Sequence, residues 1–283
     1  MNQENPSATV EKVEFLPYFP TDLERAKSGF EKFNEVFENS KILKKIAEKD
    51  KFFKDKLFFV SIGLMPETGF YGGGGFQELD TEGERKKLKR IYEEELGLKT
   101  LHWQRFDESE KWDTSLFNPE SVEKVIKNCP IPDLFPEEAK KDPMEWVLNN
   151  PNEWADLNDP KYKARFGVMS GYPPYGSSVY FEYKKAATFV DEALVEREKK
   201  AYYKYANSPR ENREFPKNLE KRFSEAIKHK ELLESRAGLL KNWFSYRGKL
   251  EFFGDGFSDE DEKYFENIKK IFDELDIDYK QVP

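Results

Sequence analysis

Apolar side chains recur at helical spacing from the first predicted element onward. Leu23, Ala26, Phe30, Phe33 and Phe37 are separated by three or four residues, which places them on one face of a helix. Thr21 and Glu24 have capping-box spacing in front of it. A short second helix is predicted over Lys41–Glu48, with Leu43 and Ile46 inward. The lysine-flanked run from Lys56 to Gly63, centred on Leu57, Phe58, Phe59 and Val60, then reads as the best strand of the chain. Met65 to Asp80 reads as a loop holding Tyr71 and four consecutive glycines, Gly72, Gly73, Gly74 and Gly75. Thr81 and Glu84 repeat the capping-box spacing, and the helix they open, Glu82–Leu96, is stopped by Gly97 at the C′ position. Leu98 to Trp103 is the next predicted strand.

From Asp107 to Pro160 the pattern breaks into short pieces. Asn118-Pro119, Asp142-Pro143 and Asp159-Pro160 each pair a capping side chain with a proline at the first helical position, where the missing N–H costs nothing. Two long amphipathic helices follow. One runs from about Ser178 to Tyr205 on Val179, Tyr183, Ala186, Val190 and Ala193; the other runs from Pro216 to about Trp243 on Leu219, Phe223, Ala226, Leu233, Ala237 and Leu240. The short break at Asn207–Arg213 lets them fold back as an antiparallel pair. A homodimer through helices 178–243 is the alternative to that seam within one chain. The end of the chain repeats the earlier order: a strand over Gly248–Gly254, a helix capped by Ser258 and Asp261 that buries Phe265, Ile268, Phe272 and Leu275, and a short strand over Ile277–Val282.

These elements predict a helix-rich α+β single domain over residues 13–283, preceded by a flexible arm, 1–12. Its small mixed sheet is built from two strand–helix–strand units, with a long helical insertion, about 107–245, between them.

Composition narrows the chemistry more than the architecture. Among 283 residues the 25 Phe, 14 Tyr and 5 Trp equal Leu, Ile and Val in number, so aromatic rings carry much of the core filling. A net charge of −8 gives no general field that would draw the chain to duplex DNA or an anionic membrane. The first twenty residues hold three prolines and no apolar run of secretory length, and a cytoplasmic location is the expectation. One cysteine excludes an internal disulfide. With only His102, His229 and Cys129 as soft or borderline ligands, a Cys/His zinc site is not expected, and no metal or other cofactor is. Cys129, on the apolar side of Val122, Val125 and Ile126, reads as a buried structural thiol.

Several motifs fall short of function. Gly167-Val168-Met169-Ser170-Gly171 has its serine one place late for a nucleophile elbow and reads as a helix end followed by a turn. Lys86, Lys87, Lys89 and Arg90 are followed directly by Glu93, Glu94 and Glu95, so that run solvates a helix face. Trp103, Trp112, Trp146 and Trp154 read mainly as staples for the short proline-started helices. The four glycines lie between a strand and a helix N-terminus, a position suited to holding an anion with backbone N–H groups, yet they lack a P-loop ending.

Two functional expectations remain. The first is a module that binds a protein or other macromolecular partner, which calls for an exposed apolar patch. The alternative is an enzyme with an anion- or substrate-binding site at Gly72–Gly75. There His102 would be the acid/base, and Tyr71, Trp103 and Arg105 would line the site.

Overall fold

The computed structural model describes residues 14–70, 76, 79, 81–104, 112–150, 161–177, 240–246, 250–255 and 259–281. Helices α1 (Leu23–Asn39), α2 (Lys41–Lys49) and α3 (Phe53–Ser61) lead to strand β1 (Glu67–Phe70). Helix α4 (Glu82–Arg90) runs into a π-helical turn, Ile91–Glu95, before strands β2 (Lys99–Gln104) and β3 (Trp112–Phe117). Four helices follow: α5 (Pro119–Asn128), α6 (Glu137–Lys141), α7 (Pro143–Asn149) and α8 (Tyr162–Met169). Strands β4 (Leu240–Tyr246) and β5 (Leu250–Asp255), helix α9 (Asp259–Glu274) and the two-residue strand β6 (Lys280–Gln281) complete the described chain.

The protein is a helix-rich α+β fold, but its sheets are antiparallel rather than mixed. One has the order β1-β3-β2 and the other β5-β4-β6. Strands β1 and β2 do run in the same direction, as a strand–helix–strand unit requires. Strand β3 inserts between them and opposes both. In the second sheet β4 likewise separates β5 from β6. The stretch from 107 onward, read as helical, thus begins with a central strand, and residues 240–243, read as the end of a long helix, are strand. The other core positions of the two long helices, and with them both the antiparallel seam and the alternative homodimer contact, lie outside the described residues, as do residues 1–12.

The predicted strand at 56–63 is instead helix α3. A short apolar run does not reveal its period when every side of the element is covered, and here Phe53, Leu57, Phe58, Phe59 and Val60 are all buried. Around it pack the phenylalanines of α1, with Phe33 edge-on to Phe58 at 5.3 Å between ring centroids. Helix α1 crosses closely because of Gly29: a Cβ there would lie 2.5 Å from the Ser61 carbonyl oxygen. The cap of α1 is Asp22 and not Thr21; the Asp22 carboxylate accepts from the Arg25 N–H at 3.1 Å, while Thr21 is buried under α5 and donates to the Asp22 carbonyl. The other caps follow the sequence reading. Thr81 and Glu84 form a complete capping box, and Asn118 and Asp142 cap α5 and α7 ahead of Pro119 and Pro143. The Asp159-Pro160 pair lies outside the described residues. Helix α8 ends at Ser170, and Gly171 turns the chain with φ +84° against the Leu64 carbonyl, confirming a helix end and not an elbow.

The first sheet lies between two apolar clusters. Leu116 joins the larger one, formed by α1–α4 and α9, whereas the next residue, Phe117, joins the cluster of α5–α8. Alternation along a strand sends neighbours to opposite faces, so β3 is covered on both sides: Thr114, Ser115, Leu116 and Phe117 are all 1% exposed or less. Trp146 staples α7 into the second cluster, edge-on to Phe135. Among the described residues no helix is long and apolar enough to cross a membrane.

Asn118 ties these parts together. Its backbone N–H donates to the Pro66 carbonyl at 2.9 Å, its amide donates to the Val60 carbonyl at 3.0 Å, and its side-chain oxygen accepts from the Ser121 N–H at 3.2 Å. Ser121 completes the joint by donating to the Gly63 carbonyl at 2.9 Å. Asn118→Ala is expected to lower unfolding free energy by about 2 kcal/mol, a lost cap plus one of the two hydrogen bonds to the Val60 carbonyl, which keeps the Gly63 N–H. Asp142→Ala removes only an exposed cap and should cost about 1 kcal/mol. Equal losses in urea denaturation would show that Asn118 acts as a cap alone.

Candidate functional site

The residues expected to form a site fall into two groups. Tyr71, Gly72, Gly73, Gly74, Gly75 and Arg105 lie outside the described residues. His102 and Trp103 are on β2, where the register sets His102 opposite Thr114 and Trp103 opposite Asp113.

His102 is built into a defined corner. Its Nδ1 is 2.9 Å from the hydroxyl of the fully buried Thr114 across the strand pair. Phe76, the residue after the glycines, presents a T-shaped contact to the imidazole, with ring centroids 4.8 Å apart and planes at 82°. The same phenylalanine meets Tyr92 edge-on at 6.0 Å. Tyr92 is wholly buried, and burial pushes its hydroxyl well above the usual phenol range. The corner therefore runs from buried Tyr92 through Phe76 to a histidine at the solvent rim.

The π-helical turn contributes to this arrangement. Leu96 N–H reaches back to the Ile91 carbonyl at 2.9 Å, one residue further than in an α-helix. The extra residue allows the consecutive Ile91 and Tyr92 both to enter the core. Gly97, with φ +73°, then reverses the chain into β2 as the helix stop predicts. Lys89 and Glu93 lie on the outer side, paired at 3.9 Å, and both act electrostatically on His102. Lys86 and Arg90 are also paired, with Glu82 and Glu95, so the basic run is a solvated, neutralised face.

Burial is the first cause holding the His102 pKa below its ordinary value; Lys89 lowers it further, and Glu93 opposes both. The ring is thereby kept neutral near pH 7. With Nδ1 turned to Thr114, Nε2 is the nitrogen through which the ring can act on a ligand. Which nitrogen carries the proton depends on whether the Thr114 hydroxyl donates or accepts, so the neutral ring can present either a base or a donor.

Cys129 ends α5 half-buried, and desolvation pushes its thiol up to about 11, which suits an unreactive structural residue. Among the described residues no group of three or more His, Cys, Asp or Glu could hold a metal ion. Sequence reasoning did not find Thr114 or Phe76, and although the Lys89–Glu93 pair follows from i,i+4 spacing, it did not place that pair beside His102. Thr114 had a signal, because Thr-Ser-Leu-Phe before Asn118-Pro119 is strand-compatible; the proximity of the others is purely tertiary. Comparison with known protein families, with curated proteins and with solved structures finds no match to this chain.

The His102 imidazole should titrate in NMR with a midpoint below the ordinary value of about 6.5. Lys89→Gln should move that midpoint up and Glu93→Gln should move it down. Because the folded state binds this proton less readily than the unfolded chain, His102 favours folding above about pH 6.5, and that contribution is lost as pH falls towards its lower folded pKa. Midpoints unaffected by either substitution would remove the charged pair from the site.

Proposed function

We propose that the protein is an enzyme acting on a small polar molecule at the His102 corner, with Nε2 of His102 taking a proton from the substrate or returning one. The observation that carries this reading is the cross-strand contact between His102 and buried Thr114, which fixes the ring while leaving it at the solvent rim. A general base must be unprotonated when it acts, and the lowered pKa of His102 favours that form at some cost in basicity. Phe76 restricts the ring from one side, and the Lys89–Glu93 pair supplies charge of both signs beside it.

The partner-binding reading needs a contiguous apolar surface. Among the described residues Phe166, at 36%, is the one large hydrophobic side chain in the exposed range, and one ring does not make a patch. The geometry therefore favours the histidine corner.

The test is a screen of small carboxylates, phosphates, ketones and amides, read by imidazole nitrogen shifts and the Thr114 amide. Ligands of one chemical class should move both signals, and His102→Gln should weaken their binding about tenfold or more while the melting temperature stays within about 2 °C. Binding unchanged in His102→Gln, or a screen that never perturbs this corner, would overturn the assignment.

A further inference from the structure

The opposite face of the same sheet carries a second ionisable group with no part in the histidine corner. Glu67, on edge strand β1, is 1% exposed. Its carboxyl accepts from Ser115, and its other oxygen, Oε2, finds no hydrogen-bond partner among the described residues. Lys56 reaches over from α3 and donates to the Gly69 carbonyl at 3.0 Å. The pairing explains why that carbonyl is available: Asn118 N–H meets Pro66 O, and by antiparallel alternation Thr68 then faces β3 while Glu67 and Gly69 turn their backbone groups to the outer edge. Lys56 thus covers the open edge of β1 and acts electrostatically on Glu67.

Among the described side chains, Lys56 of α3 is the charged group that acts on Glu67 directly, and Asp50, before α3, acts on Lys56; on β3 the neutral Ser115 and Phe117 share its face. Burial pushes the Glu67 carboxyl up to about 7, outweighing Ser115 and Lys56, both of which pull it down. Lys56, itself largely covered, is held below its usual value for the same reason.

From this cluster we propose that β1 is a proton-operated latch, docked while Glu67 is neutral and loosened when Glu67 gives up its proton. An ionised carboxylate with an unpartnered oxygen must recover water. A four-residue strand on a sheet edge is the element that can yield to let water in. The sign follows from linkage. The docked state binds the proton more tightly than the loosened one, so docking is strongest well below pH 7, weakens as pH rises towards 7 and changes little above it.

Native-state hydrogen exchange tests this directly, with rates corrected for the intrinsic effect of pH. The Thr68 and Leu116 amides, which bridge β1 and β3, should lose roughly ten- to thirtyfold protection between about pH 5.5 and pH 7 and then level off. The Ser115 and Phe117 amides, which face β2, should not follow. Glu67→Gln should keep the β1 amides protected at every pH. Constant protection in the wild type, a fall shared equally by the β2-facing amides, or a fall that survives Glu67→Gln would each overturn the latch. Carboxyl carbon NMR of the wild type decides the matter even if Glu67→Gln fails to fold, since a Glu67 midpoint at the ordinary value of about 4.3 would also overturn it.

Discussion

The described fold depends on satisfying the polar end of a helix surrounded by apolar side chains. The last turn of helix α3, Leu57 to Ser61, is buried throughout, so the carbonyls at its end have no ready access to water. Asn118 and Ser121 meet that need from the start of α5 by donating to the Val60 and Gly63 carbonyls. Each such carbonyl left unpaired would cost on the order of 1–3 kcal/mol, a substantial part of the stability of any domain. The same residues set the geometry downstream. Asn118 N–H on Pro66 O starts the β1–β3 register, and Gly63, with φ +78° and Ser121 against it, bends the chain from α3 into β1. Once β3 is placed against β1, its other edge receives β2, and Thr114 comes opposite His102.

The parts of this arrangement legible in the sequence are those governed by local chemistry. Capping side chains followed by proline, the Thr81–Glu84 box and the Gly97 stop are short-range devices, and each stands where its residues imply. The apolar face of α9 is equally direct, because Phe265, Ile268 and Phe272 have a polar face to contrast with. Helix α3 had no such contrast. Strand β1 was hidden for a different reason: Glu-Thr-Gly-Phe is short, sets Thr and Phe against the strand-poor Glu and Gly, and is held by β3, Lys56 and the Asn118 joint. Sheet order was hidden too, because each central strand comes from outside the strand–helix–strand unit it divides.

The site shows the same division. His102 could be singled out because histidine is scarce in this chain and the predicted strand placed it next to the glycines. Its partners could not be identified that way. Phe76 and Thr114 lie 26 and 12 residues from it along the chain, and neither residue type carries a motif. Glu67 drew no notice among 55 acidic residues, since its distinction is where it is buried.

His102 and Glu67 are connected by a common physical cause. Strand β3 is covered on both faces and β1 is buried beside it, whereas β2 opens to solvent at Lys99 and His102, so charge is expensive at the centre of the sheet and less so at that rim. Desolvation is the first cause of both perturbed titrations, lowering the histidine and raising the glutamate. Each is therefore pushed towards its neutral form, although the shifts have opposite signs. The difference in depth decides what each group can do with its proton. His102, at the rim, can exchange one with a ligand without moving the backbone. Glu67, buried beside Lys56 and joined to Ser115, gives one up more readily when the strand carrying it loosens. Burial on one sheet thus yields a group suited to chemistry at the rim and a group suited to conformational control beneath the edge.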